Sequence, residues 1–181
     1  MTDTTFTFRR VALGAAVALG LLGTGHASWA QDSTNQVAVK TDWSVFVEDD
    51  PKECWGVSAP KESVNTRDGQ PVSVQRSEIR LFVTFRPGSG AAGEVSFTGG
   101  YPFAPGSTIN ITIDTASYEL FVEGEWGWPG SAADDAALLD SLKRGADAVL
   151  TARSARGTQT VDTFSLRGFT AAMAEAEARC K

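Results

Sequence analysis

The sequence predicts a mainly β, α+β domain: an antiparallel β-sandwich or curled sheet, two helices packed on it, and one disulfide. Three observations lead there. About seven short stretches alternate apolar and polar residues, with turn-forming residues between them at regular spacing. The two stretches of helical periodicity come late, so strands and helices do not alternate as a parallel α/β sheet requires. The only two cysteines, Cys54 and Cys180, lie near the two ends of the patterned region.

Residues 1–30 stand apart. Arg9 and Arg10 form a short basic region, residues 11–22 are a run of Val, Ala, Leu and Gly, and Ser28-Trp29-Ala30 offers small residues at the two positions a signal peptidase reads. This predicts a secretory signal peptide over 1–30, cleaved after Ala30, and a periplasmic or secreted product. The apolar run, about a dozen residues, is too short to span a bilayer comfortably, so no integral membrane span is expected after leader removal. The arginine pair lacks the rest of a twin-arginine motif, and no cysteine follows the run to carry a lipid anchor. Residues 31–40 are polar and aperiodic and read as a flexible N-terminal segment. Residues 41–181 read as a single domain.

Within it, Trp43, Val45 and Val47 alternate with Ser44 and Phe46 in a strand ended by Asp49-Asp50-Pro51. Residues 54–58 form a second short strand carrying Trp55 and Val57. Residues 61–71 are polar, with a turn at Asp68-Gly69. Residues 77–85 give the clearest strand: Ile79, Leu81, Val83 and Phe85 share one face, Glu78, Arg80 and Thr84 the other, and Phe82 breaks the pattern. A strand over 94–98 follows, then a wide turn over 99–107 holding Tyr101-Pro102-Phe103. Residues 108–114 and 118–123 form a hairpin, with Ile109, Ile111 and Ile113 inward. Ser131, with Asp134 three residues on, resembles a capping box. The helix it opens buries Leu138, Leu139 and Leu142, places Lys143 and Arg144 near its C-terminal end, and offers Gly145 as a left-handed cap. Residues 148–154 and 159–166 read as a second hairpin, across Arg156-Gly157. The final helix starts near Gly168 and sets Phe169, Met173, Ala176 and Cys180 on one face.

Charge and missing residue types narrow the chemistry. The formal charge of the whole chain is −6. Losing Asp3, Arg9 and Arg10 with the leader removes a net +1 and leaves about −7. So acidic a domain is a poor partner for nucleic acid or anionic lipid, which are bound by Lys and Arg; Arg153, Arg156 and Arg167 come nearest to a basic patch. The only histidine, His26, lies in the leader, so Ser-His-Asp and Cys-His catalysis and the common zinc enzymes are excluded. No phosphate loop or dinucleotide fingerprint is present. In an exported protein the Cys54–Cys180 pair most simply forms a disulfide; a redox pair is the alternative, but it needs a closer spacing. Glu48, Asp49 and Asp50 lack the ligand pattern of a calcium loop. No catalytic residue, metal or cofactor is therefore expected.

Two aromatic segments remain as a candidate binding surface: Tyr101 and Phe103 in one, Trp126 and Trp128 in the other. Exposed aromatics bring contact area at low entropic cost. The competing reading is that these rings fold under and cap an open end of the sandwich.

The chain resembles the invasion-associated locus B family of exported bacterial proteins. The resemblance is carried by Trp43, by Asp50-Pro51-Lys52-Glu53-Cys54-Trp55, by Gly100-Tyr101-Pro102-Phe103 with Gly106-Ser107, by Arg156-Gly157-Thr158, and by residues 162–172 with Cys180. It implies a periplasmic or envelope-associated protein and supplies no catalytic residues. The family name comes from a locus linked to host-cell invasion. The resulting expectation is a non-enzymatic envelope protein that binds a protein or envelope partner, a host-surface component being one such partner. The alternatives are a carbohydrate-active hydrolase using Glu123, Glu125 or Asp114, and an envelope stability or assembly factor.

Overall fold

The computed structural model describes residues 35–181. The leader and its cleavage site lie outside the described residues. The strands are β1 Gln36–Lys40, β2 Trp43–Asp49, β3 Lys52–Ser58, β4 Glu62–Arg67, β5 Gln70–Pro71, β6 Arg80–Arg86, β7 Ala91–Thr98, β8 Thr108–Ile113, β9 Ala116–Glu123, β10 Trp126–Trp128, β11 Asp147–Arg153 and β12 Gln159–Ser165. The helices are α1 Ala132–Arg144 and α2 Phe169–Arg179. All 12 strands belong to one sheet, in the order β1-β2-β3-β6-β7-β10-β9-β8-β11-β12-β4-β5. Every pairing is antiparallel. The architecture is thus the mainly β, α+β fold expected, in its curled-sheet form.

The curl follows from the alternation of side chains. Val83 and Val95, Ile111 and Leu150, and their neighbours put one apolar residue in two on the same face. That face escapes water only if the sheet closes over itself. Phe97 on β7 and Phe164 on β12 are distant in the strand order, yet their rings meet edge-to-face at 6.0 Å. The Trp43 indole on β2 donates to the Ser165 carbonyl on β12 at 3.0 Å.

The helices close the sides of this core. Ser131 caps α1, its hydroxyl accepting from the Asp134 amide at 3.2 Å. Leu138, Leu139 and Leu142 are buried, as their spacing predicts. The next link is tertiary. β10 pairs with only the Phe97–Thr98 end of β7, and upstream of that the Asp135 carboxylate accepts from the Val95 amide at 2.8 Å. Burial pushes the Asp135 carboxyl up from its ordinary value, against that hydrogen bond. In α2, Phe169 packs edge-to-face on Trp43 at 4.8 Å, and Met173 and Ala176 are buried beside it. Cys180 ends this seam and is bonded to Cys54 on β3. Among the described residues no helix is long and apolar enough to cross a membrane.

Several expectations need correction. Gln36–Lys40, inside the segment read as flexible, is the edge strand β1, paired with β2 from Lys40↔Trp43 outward. The polar stretch 61–71 contains β4 and β5, because Ser63, Val64 and Asn65 find ladder partners on β12. β4 has one apolar residue, Val64, so its local pattern gives no strand signal. Residues 77–79 precede β6 instead of opening it, and the Ser77 amide donates to the Gly100 carbonyl at 2.9 Å. Gly145 is extended, at φ −75°, not left-handed. It is glycine for space: a Cβ there would collide with the Ile113 side chain.

Candidate functional site

The two aromatic segments go different ways. Phe103 is buried, packed against Phe97 at 6.1 Å and Tyr101 at 5.0 Å. Its amide donates to the Gly124 carbonyl, and the next amide, of Ala104, donates to Arg153. Residues 99–107 therefore lie across the sheet as a plug. Tyr101 is half-buried, with its hydroxyl 2.6 Å from that of Thr160 and the Arg76 guanidinium over its ring at 5.0 Å. Burial raises its phenol pKa. These two residues, offered by sequence as binding surface, belong to the packing.

Behind Tyr101 lies a buried ion pair. Arg76 holds both Asp162 oxygens, at 2.8 and 2.6 Å, and its Nε donates to the Gly99 carbonyl at 2.8 Å. The Ser63 hydroxyl adds a third donor to Asp162, at 2.6 Å. Every polar atom of the pair is engaged, so this is a latch and not a reactive centre.

Trp126 and Trp128 stay on the surface. They sit on β10, whose alternation sends Gly127 inward and both indoles outward. A Cβ at Gly127 would run into the Ile109 Cδ1, so any larger residue there would force that side chain to shift. The indoles lie nearly parallel, with centroids 6.4 Å apart, and Trp126 leans on Phe82 of β6 at 5.7 Å. Trp126 is 39% exposed.

The same outer face carries further rings that sequence reasoning did not select. Phe46 and Trp55 are cross-strand partners on β2 and β3, stacked at 5.5 Å. Phe121 on β9 stands opposite Trp128 and is 58% exposed. The rings form a transverse band over β2, β3, β6, β10 and β9. Beneath it the outward-facing Thr84, Ser96 and Thr98 are buried. The signal was present: Phe82 interrupts the polar face of the clearest strand, and Phe46 does the same in β2. An aromatic ring on the solvent side of an amphipathic strand has no core reason to be there.

Between Trp55, Phe82 and the β10 indoles lies an open depression of about 450 Å³. Its charged rim is ordered. Arg86 donates to Glu53 at 3.0 Å and to Glu94 at 2.9 Å, and Glu48 completes the rim. Burial works against the Arg86 charge, but the two carboxylates outweigh it and hold its pKa above the ordinary value.

The remaining candidates do not assemble. Asp114 sits in the β8–β9 turn and Glu123 at the other end of β9. Eight strand residues separate those ends by roughly 25 Å. Glu123 and Glu125 are both exposed. Arg153 and Arg156 lie at one end of β12 and Arg167 beyond the other, so no basic patch forms. Among the described residues no group of three or more His, Cys, Asp or Glu is placed to hold a metal ion.

Fold and surface together define a disulfide-closed, curled-sheet domain with an aromatic outer face. The family model for "Invasion associated locus B (IalB) protein" matches residues 43–177, and the chain belongs to that family. Among solved structures it is similar to invasion associated protein B from Bartonella henselae, at 14% identity with a TM-score of 0.54. That match covers 78% of this chain and 95% of the Bartonella chain, and it speaks to the fold alone. No curated protein matches the chain.

Proposed function

We propose that the protein is an exported, non-catalytic binding protein of the bacterial envelope, which holds a protein or other envelope component against its outer aromatic band. The observation that carries this reading is the band itself. Five rings of β2, β3, β6 and β10, with Phe121 beside them, occupy a sheet face that needs no apolar residues for folding. Large exposed aromatic patches on soluble domains mark interaction surfaces. Trp126 and Trp128 are the anchors of the proposed site; Tyr101 and Phe103 support it from the core. A disulfide between distant cysteines supports export, since such bonds persist outside the reducing cytoplasm. The reading places the leader at 1–30, with cleavage after Ala30, and the working domain at 41–181 together with the edge strand β1.

Affinity capture from envelope extracts tests it. The wild-type protein should retain a component that the Trp126→Ala/Trp128→Ala variant, with an unchanged melting temperature, does not. Equal retention by both would sink the assignment to the band.

A further inference from the structure

The geometry points to a cationic polypeptide segment as the occupant of the band: arginine or lysine side chains lying on the indole faces, with the rim carboxylates beside their charges. This rests on the band being the partner site, and it names the chemistry of the partner.

Three features carry it. First, the depression already holds a cation of its own. The Arg86 guanidinium lines it together with Trp55, Phe82, Trp126 and Trp128, and is bonded to Glu53 and Glu94. The rim carboxylates thus already hold one guanidinium at the edge of the aromatic depression. Second, the charges lining the depression favour a cation, and Arg80, in register with Trp126 across Thr98, is paired with Glu78. Glu48, Glu53 and Glu94 against Arg86 leave the rim at a net −2. The whole chain is at −6, so a positively charged segment is steered in and a polyanion is turned away. Indole is the ring that attracts cations best. A neutral sugar would stack on the rings but gain nothing from the surplus charge.

Third, the spacing suits an extended chain. The Trp126 and Trp128 centroids are 6.4 Å apart. Alternate side chains of an extended peptide project from one face about 6.6 Å apart. A segment lying along β10 thus sets successive same-face arginines or lysines over successive indoles.

Titration calorimetry of the purified protein with a synthetic peptide of alternating arginine and glycine tests this. The control is the same peptide with citrulline, which keeps the shape of arginine and lacks its charge. The arginine peptide should bind, weaken as salt is added, and exceed the citrulline peptide by about tenfold. Trp126→Ala/Trp128→Ala should abolish that preference. Arg86→Gln should tighten binding about threefold, because it frees Glu53 and Glu94 for the incoming cation. Glu48→Gln, a change on the exposed rim that leaves the Arg86 bridges alone, should weaken it about twofold.

Absence of binding by the arginine peptide overturns the proposal. So does indifference to the tryptophan substitutions, or looser binding in Arg86→Gln. Equal binding of both peptides, each lost with the tryptophans, also overturns the cation assignment but leaves the band standing as a binding site. Retention of envelope partners by the tryptophan variant is the separate result that removes the band itself.

Discussion

Replacing Arg76 by alanine should cost more stability than the loss of any charged side chain outside the Arg76–Asp162 pair in the described part of the molecule. The Arg76 side chain is 6% exposed and that of Asp162 0%. Truncation removes the paired bonds to Asp162, the bond to the Gly99 carbonyl and the cation over Tyr101. It leaves a buried carboxylate whose remaining hydrogen-bond donor is the Ser63 hydroxyl. Breaking a buried pair from one side typically costs about 3–5 kcal/mol, because the surviving charge has lost both water and partner. For a domain of this size each kcal/mol lowers Tm by about 2–4 °C, so a fall on the order of 10 °C is expected in calorimetry or circular dichroism. The comparison is Arg179→Ala, which breaks a solvent-screened helical pair with Glu175 and should leave Tm almost unchanged. Arg76→Met/Asp162→Leu should recover most of the loss, since an apolar pair leaves no orphaned charge. If Arg76→Ala cost less than about 1 kcal/mol, or the double variant were worse than the single, the reasoning from burial would be wrong.

Two further outcomes are expected. Cys54→Ala/Cys180→Ala opens a cross-link of 126 residues, for which chain entropy gives an upper value of about 5 kcal/mol. The variant should melt roughly 10 °C lower and show a larger denaturant m-value, because its unfolded state expands; an unchanged m-value and Tm would show that the bond constrains little. The pH dependence of stability should carry two opposite contributions. Hydrogen bonds from Lys61 and Ser165 hold the Asp42 carboxyl below its ordinary 3.8, and Arg179 and Lys40 hold Glu175 below 4.5. Both contributions are present above those values and are lost as pH falls through the lower folded-state pKa values. Burial raises Asp135, so its contribution is complete below 3.8 and is lost as pH rises through its higher folded value. Melting curves across the acid range should therefore show a shallower acid loss in Asp42→Asn/Glu175→Gln. Asp135→Asn should gain on wild type as pH rises above 3.8. The opposite order in either variant would contradict the assignment.

Much of the fold was legible because it rests on local pattern. Ile109, Ile111 and Ile113 alternate, and all three are buried. Ser131 and Asp134 announced a helix start and form it. The four-three-four spacing from Phe169 to Cys180 placed Cys180 on the buried seam, where it meets Cys54. β1, β4, β5 and β10 were hidden because their strand state comes from neighbours: β4 from β12, β10 from β7 and β9. The candidate site was half legible. Trp126 and Trp128 were selected for their type, and so were Tyr101 and Phe103, which the Arg76–Asp162 latch and the plug over the sheet draw inward.

The class of fold, the presence of just two cysteines and the absence of histidine from residues 31–181 can be read without coordinates, because each depends on composition or on spacing within one element. Which aromatic rings face water was decided only by tertiary structure. A ring's exposure depends on strand register and on which strands become neighbours. Those follow from the closing of the whole curled sheet, which brings Phe46, Trp55, Phe82, Trp126 and Trp128 onto one face from four separate strands.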